Sequence, residues 1–393
     1  MLNILSMKKM YLFAILAVIM VACKPKEPVV THDVIELVDS IGWWWEKDCP
    51  EDLAAAKVTA ETESPIRLHF YGWNDNEDSL FAIQMPAKGN YRRVLMEYTM
   101  CGWNKGPADW DMTTEVRILD PKDSTWYELQ RAFTPYGGSF NASWEKKFYM
   151  DVTHLLPLLT AEDMVKFKIF YCGWDATDQK AHALKLKFYF FEGEPENGNV
   201  IGIQNVYNSF LSGNNGYRAW AYGVASAPIE SDERLGLRTI QLPEGTKKAM
   251  LRVCITGHGQ EVSTASDTED KKYDGYFPGR SKKPTNPAEF DENWYTIIYN
   301  GEPWNLRGHI WEQNGYKGKG TNYSQTGTYT YHRAGWGPGK PGNTQYWMIY
   351  DIPESGQITL DLNLDEYVSD RTEPNAAYVA NYYVMADIFA YDK

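Results

Sequence analysis

The chain has 393 residues and a formal net charge of −13, from 39 Lys and Arg against 52 Asp and Glu. So acidic a chain excludes a binder that tracks nucleic-acid phosphates, which needs clustered cations. Hydrophobic residues make up 43%, which argues against wholesale disorder, and the length predicts about two domains.

In chain order, Met7-Lys8-Lys9 comes first, then an apolar run from Met10 to Ala22, then Cys23. A basic start and an apolar stretch shorter than the roughly 20 residues of a spanning helix describe a signal peptide over residues 1–22. Cys23 directly after Met20-Val21-Ala22 has the form of a bacterial lipobox. Cys23 is therefore expected to be lipidated and to anchor the chain at the bacterial outer membrane, facing the periplasm or the cell surface. An ordinary cleaved signal with an incidental cysteine is the alternative. Residues 23–63 then read as lipid anchor, tether and N-terminal extension. Helical periodicity is expected over residues 33–46 and 160–165 only. Within the first of these, Trp43-Trp44-Trp45 cannot all face inward on a helix or a strand. A clamp onto the main body is expected of them, with a sugar-stacking platform as the alternative.

From residue 64 the pattern is β. Residues 358–364 alternate apolar and polar over their whole length, and residues 184–190 begin the same way. Similar runs cover residues 167–171, 249–255 and 295–299, and residues 93–101 and 112–119 also read as strands. Many short strands separated by Gly, Pro, Asn and Asp predict an all-β chain of antiparallel sandwiches. The turn-forming, charged segment 193–199 is the expected boundary, giving sandwiches over 64–195 and 198–393. Residues 261–286 read as a long polar loop. Gly-Trp follows a strand three times, at Gly72-Trp73, Gly102-Trp103 and Gly173-Trp174, so three indoles could gather at one rim or pack under loops.

Beyond Cys23 the cysteines are Cys49, Cys101, Cys172 and Cys254. Three pairings are open to four cysteines, and none shows zinc-site spacing. No metal and no cofactor is expected.

The segment Pro107-Ala108-Asp109-Trp110-Asp111 puts acids and a tryptophan in a turn between two predicted strands. It is followed in order by Trp126-Tyr127-Glu128, Phe133-Thr134-Pro135-Tyr136, Asp151-Val152-Thr153, Phe167-Lys168-Ile169, Thr256-Gly257, Ala288-Glu289 and Arg333-Ala334-Gly335-Trp336. Together these resemble the bacterial peptide-N-glycosidase F family, amidases that cut N-linked glycans from asparagine. The resemblance implies two jelly-roll-like sandwiches packed side by side, with the site between them. It puts the catalytic carboxylate on Asp111, a second acid on Glu289 and an arginine on Arg333. A carboxylate in hydrogen-bond reach of a water can activate it for attack on the side-chain amide. An arginine can hold a carboxylate or polarise the carbonyl.

Trp110, Trp174 and Trp336 are the expected sugar contacts, with Asp109 as a supporting residue. N-glycans and glycoproteins are the implied partners of a chain expected to be monomeric and to meet the membrane only through its lipid.

The sequence also departs from the family. Cys172 stands where a functional glutamate is implied, and a thiol does not replace a carboxylate that accepts hydrogen bonds from sugar hydroxyls. Glu115, four residues beyond Asp111 and expected on the same side of a strand, and Asp175 are the candidate substitutes. Met112 follows Asp111 where a basic residue is implied. The family's disulfides lack partners here, which leaves Cys101 with Cys172 as one pairing and free thiols as the other. A catalytically inactive glycan-binding lipoprotein on the same scaffold is the competing reading of the whole chain.

Overall fold

The computed structural model describes residues 34–69, 79–172, 180–208, 235–258, 289–290, 292–314, 325, 329–365 and 381–393. These form antiparallel sheets in two groups. In the first group, one sheet runs Trp43–Trp45, Glu145–Asp151, Tyr91–Asn104, Lys180–Glu192 and Val58–Glu61, with Ile66–Arg67 also on the Lys180–Glu192 strand. It faces a sheet of Ser79–Gln84, Met164–Cys172, Thr113–Leu119 and Trp126–Phe133. In the second group, Ile35–Leu37, Thr344–Ile349, Lys248–His258, Asn381–Tyr391 and Val200–Asn208 make one sheet. Arg238–Gln241, Gln357–Leu364, Asn293–Tyr299 and Glu302–Ile310 make the other.

Alternation explains both cores. Along Gln357–Leu364 the burial follows the sequence pattern, with Ile358, Leu360, Leu362 and Leu364 inward. The strand Asn293–Tyr299 is joined to Glu302–Ile310 by Asn300-Gly301, whose φ values of 50° and 79° suit a two-residue hairpin turn.

Two expectations of helix fail. Ile35–Leu37 and Trp43–Trp45 are edge strands, each paired with a strand far away in sequence. Residues 160–165 run from a turn into the Met164–Cys172 strand, and the helical turn precedes them at Leu156–Leu159. The extension is thus built into both groups of sheets, since Ile35–Leu37 completes one and Trp43–Trp45 and Val58–Glu61 complete another. A strand also resolves the triple tryptophan. Trp43 and Trp45 meet edge to face at 5.1 Å on the core side, and both contact Phe148. Trp44 points the other way, under the Arg93 guanidinium at 5.4 Å. The clamp reading therefore accounts for all three.

A buried ionic layer joins the two groups. The Arg252 guanidinium pairs with Asp387 at 2.6 Å, donates to the Glu128 carbonyl, and meets His154 Nε2 at 3.1 Å. Burial, then Arg252, hold His154 well below its ordinary pKa, so its Nε2 is the acceptor of a neutral ring. Arg131 pairs with Glu128 at 2.7 Å and donates to Thr256 Oγ1 and the Tyr383 carbonyl at 2.8 Å each. Strand residues 126–133 are thereby fixed against those of the Lys248–His258 and Asn381–Tyr391 strands.

Candidate active site

Asp111 ends a turn whose shape is set by Thr134. The buried Thr134 hydroxyl accepts from the Met112 amide at 2.8 Å and donates to the Trp110 carbonyl at 3.1 Å. The Met112 carbonyl takes the Thr134 amide at 2.8 Å, which closes the turn onto the neighbouring strand. The Asp111 side chain emerges 12% exposed.

Arg333 comes from the other group of sheets. Its backbone exchanges hydrogen bonds with Glu312, at 2.7 and 3.1 Å, just past the Glu302–Ile310 strand. Ala334 N donates to the Glu289 carbonyl at 2.8 Å, bringing Glu289 alongside. Gly335 then has a φ of +75°, and a Cβ there would lie 2.2 Å from the Ile255 carbonyl oxygen. No side chain fits in that conformation or that space. Gly335→Ala is expected to cost at least about 2 kcal/mol of stability, because it adds a clash to a strained φ. Urea denaturation measures it, and an unchanged midpoint would contradict this.

The three groups meet. Arg333 Nη2 reaches Asp111 Oδ2 and Arg333 Nε reaches Glu289 Oε1, each at 3.4 Å. The guanidinium also donates to the Tyr136 hydroxyl at 3.2 Å and the Tyr331 carbonyl at 3.0 Å. Its carbon lies over the Trp336 ring at 4.7 Å and the Phe290 ring at 5.1 Å. Burial pushes the Asp111 carboxyl up to about 6, against the pull of Arg333 and of a hydrogen bond from Tyr136. Burial likewise pushes Glu289 up to about 7, with Arg333 opposing and Asp111 adding repulsion. One cation thus serves two poorly solvated carboxylates whose protons come off near neutrality.

Not every expected residue joins them. Glu115 is 1% exposed and engaged elsewhere, accepting from Arg117 Nε at 2.5 Å and from the Tyr383 hydroxyl at 3.2 Å. It belongs to the ionic layer and is no substitute for a sugar-facing carboxylate. The regular alternation that would align it with Asp111 begins only at Thr113. Asp109 is exposed and pairs with Lys180 at 3.5 Å, away from the trio. Trp110 is 57% exposed and meets Tyr136 in a T-shaped contact, with the ring centres 6.5 Å apart. Trp336 is 4% exposed and stacked on Phe133 at 4.4 Å, so its ring faces protein and not a sugar.

Cys101 is an unpaired thiol, bonded to the Ala183 carbonyl at 3.5 Å, so it forms no bridge to Cys172. Trp174, Asp175, the signal region with Cys23 and the loop 261–286 lie outside the described residues, as do Trp73 and the Cys172 side chain. Among the described residues no group of His, Cys, Asp and Glu could hold a metal ion.

Sequence reasoning missed Tyr136 and Phe290. Tyr136 was visible in the Phe-Thr-Pro-Tyr stretch and Phe290 beside Glu289, but nothing in residue type alone gave either a role. The buried ion pair of Lys340 with Glu312, at 2.7 Å behind Arg333, had no signal at all.

No protein-family model matches the chain. It is 24% identical over 286 residues to peptide-N(4)-(N-acetyl-beta-D-glucosaminyl)asparagine amidase F of Elizabethkingia miricola, covering 72% of this chain and 70% of that one. The solved structure of PNGase F, a glycosylasparaginase from Flavobacterium meningosepticum, superposes with a TM-score of 0.63 at 21% identity. That match covers 86% of this chain and 96% of that one. The chain is peptide-N-glycosidase F-like. PNGF-II has the same fold at a TM-score of 0.56 and 14% identity, over 86% of this chain and 66% of that one. The peptide-N-glycosidase F fold thus extends over both groups of sheets, and it is the joint between them that brings Asp111 to Arg333 and Glu289.

Proposed function

We propose that this protein is an amidase that releases N-linked glycans from glycoproteins, with Asp111 as base, Glu289 as acid and Arg333 as the fixed cation. The observation that carries the reading is the shared Arg333 guanidinium, 3.4 Å from each carboxylate. Asp111 takes a proton from a water, and the water oxygen bonds to the side-chain carbonyl carbon of the glycosylated asparagine. Negative charge develops on the carbonyl oxygen, and Arg333 is the nearest fixed positive charge to stabilise it. The carbon–nitrogen bond then breaks, Glu289 protonates the departing nitrogen, and the products are a glycosylamine and an aspartate. Trp110, exposed at the lip, is the sugar-stacking candidate.

The two carboxyls fix the pH dependence. Asp111 must be ionised, so activity rises as pH climbs through about 6; Glu289 must be protonated, so it falls as pH passes about 7. A bell in kcat/KM centred between those values is expected. A rate that keeps rising to pH 9 would remove Glu289 as the acid.

Release of glycan from a denatured N-glycoprotein tests the reading, and no release by the wild type would sink it. Cys172 in the implied glutamate position favours one second reading, a glycan-binding protein without turnover. Glycan affinity with no cleavage would support that reading. Lipidation at Cys23, and with it an outer-membrane location, is a further part of the proposal. The mass of the mature N-terminal peptide from bacterial membranes tests it.

A further inference from the structure

Arg333 sits unusually far from the two acids it serves. Charge-assisted N–H···O bonds normally settle near 2.7–2.9 Å. Here both are 3.4 Å, while the same guanidinium makes a shorter bond, 3.0 Å, to the neutral Tyr331 carbonyl. Something other than the carboxylates fixes its place. Among the described residues, N–H groups of the fully buried guanidinium reach Asp111, Glu289, Tyr136 and Tyr331, and its flat carbon centre lies over two aromatic rings, Phe290 and Trp336.

The Trp336 ring cannot follow if the arginine shifts. Its Nε1 donates to the Gly257 carbonyl at 2.8 Å, and its face stacks on Phe133 at 4.4 Å and on His258 at 5.6 Å. His258 is tied in turn. Its Nε2 lies 2.7 Å from Thr256 Oγ1, which already accepts a bond from Arg131. The ring pile is thus rooted in the ionic layer between the sheet groups.

We propose that Trp336 and Phe290 are positioning residues whose rings hold the Arg333 guanidinium back from Asp111 and Glu289, so that it supplies charge without closing onto either acid. This rests on the amidase reading for its purpose but not for its geometry. A guanidinium released from the rings moves onto the carboxylates. A closer cation stabilises the ionised form, making Asp111 a weaker base. The role also explains why an indole in this stretch is buried rather than offered to a sugar.

The test compares Trp336→Leu, Trp336→Phe and Phe290→Leu with the wild type. Trp336→Leu is expected to lower kcat on an N-glycopeptide by about tenfold or more with KM little changed, since misplacement acts on the chemical step. The acid limb of its pH profile moves down by on the order of one unit. Trp336→Phe, which keeps a ring face, recovers most of the rate. A rise in KM alone, or an unchanged kcat and limb, would overturn the proposal. If Trp336→Leu does not fold, Phe290→Leu carries the same expectation and the same power to refute. Carboxylate 13C NMR titration, with Asp111→Asn to assign the Asp111 signal, reads the downward shift without any turnover. A wild type that cleaves nothing would then count against the amidase reading, and an unshifted Asp111 signal in the ring variants against this one.

Discussion

Asp111→Asn lowers kcat on an N-glycopeptide by roughly 10²–10⁴-fold, the usual contribution of a positioned general base. The substitution is close to isosteric, and its amide oxygen can still accept from Arg333 Nη2 and from Tyr136. What it cannot do is take a proton from water. The loss should therefore fall in kcat, with KM near the wild-type value. Glu289→Gln is not equivalent, because a glutamine still holds the nitrogen of the leaving group by hydrogen bond while losing the transferable proton. Steady-state kinetics with a fluorescent glycopeptide separates these effects. Retention of most of the wild-type kcat by Asp111→Asn would remove it from the base role and leave the trio as a structural ion pair.

The largest stability effect is expected at Arg252, well away from the trio. Arg252→Ala should cost about 3–5 kcal/mol, the typical price of stranding one partner of a buried ion pair. Asp387 is fully buried and would be left with Asn205 Nδ2, at 2.7 Å, as its remaining hydrogen-bond donor. The same deletion takes a donor from the Glu128 carbonyl and from His154. Urea denaturation should show the midpoint falling with little change in slope. The double variant Arg252→Met with Asp387→Leu should regain much of the loss, since both charges then leave together. If Arg252→Ala were as stable as wild type, the layer would not hold the sheet groups in register.

How much of this could be read from sequence differs by element. The strands of residues 184–190 and 358–364 were legible because two-residue alternation is a local property of a half-buried strand. Residues 33–46 were misread for the opposite reason. Ile35–Leu37 and Trp43–Trp45 are three residues long, too short to show a period, and each is held by a partner strand roughly 100 to 300 positions away. Asp111, Glu289 and Arg333 were found through ordered resemblance over much of the chain, not through any local signal of catalysis. Glu115 shows the limit of spacing arguments. Counting by twos aligned it with Asp111, but the turn pinned by Thr134 breaks the alternation before the strand begins. Trp336 shows the limit of residue type, since an indole suited to sugars also suits an arginine. Tyr136 and Phe290 acquire meaning only when the two sheet groups close on each other.

The most direct test of the central claim is to run the reaction in 18O-labelled water on a defined N-glycopeptide and weigh the peptide product. An amidase using Asp111-activated water returns a peptide with aspartate in place of the glycosylated asparagine, carrying one 18O in its side chain, and Asp111→Asn does not. A peptide recovered unchanged, or one that keeps asparagine with a sugar still attached, would contradict the account.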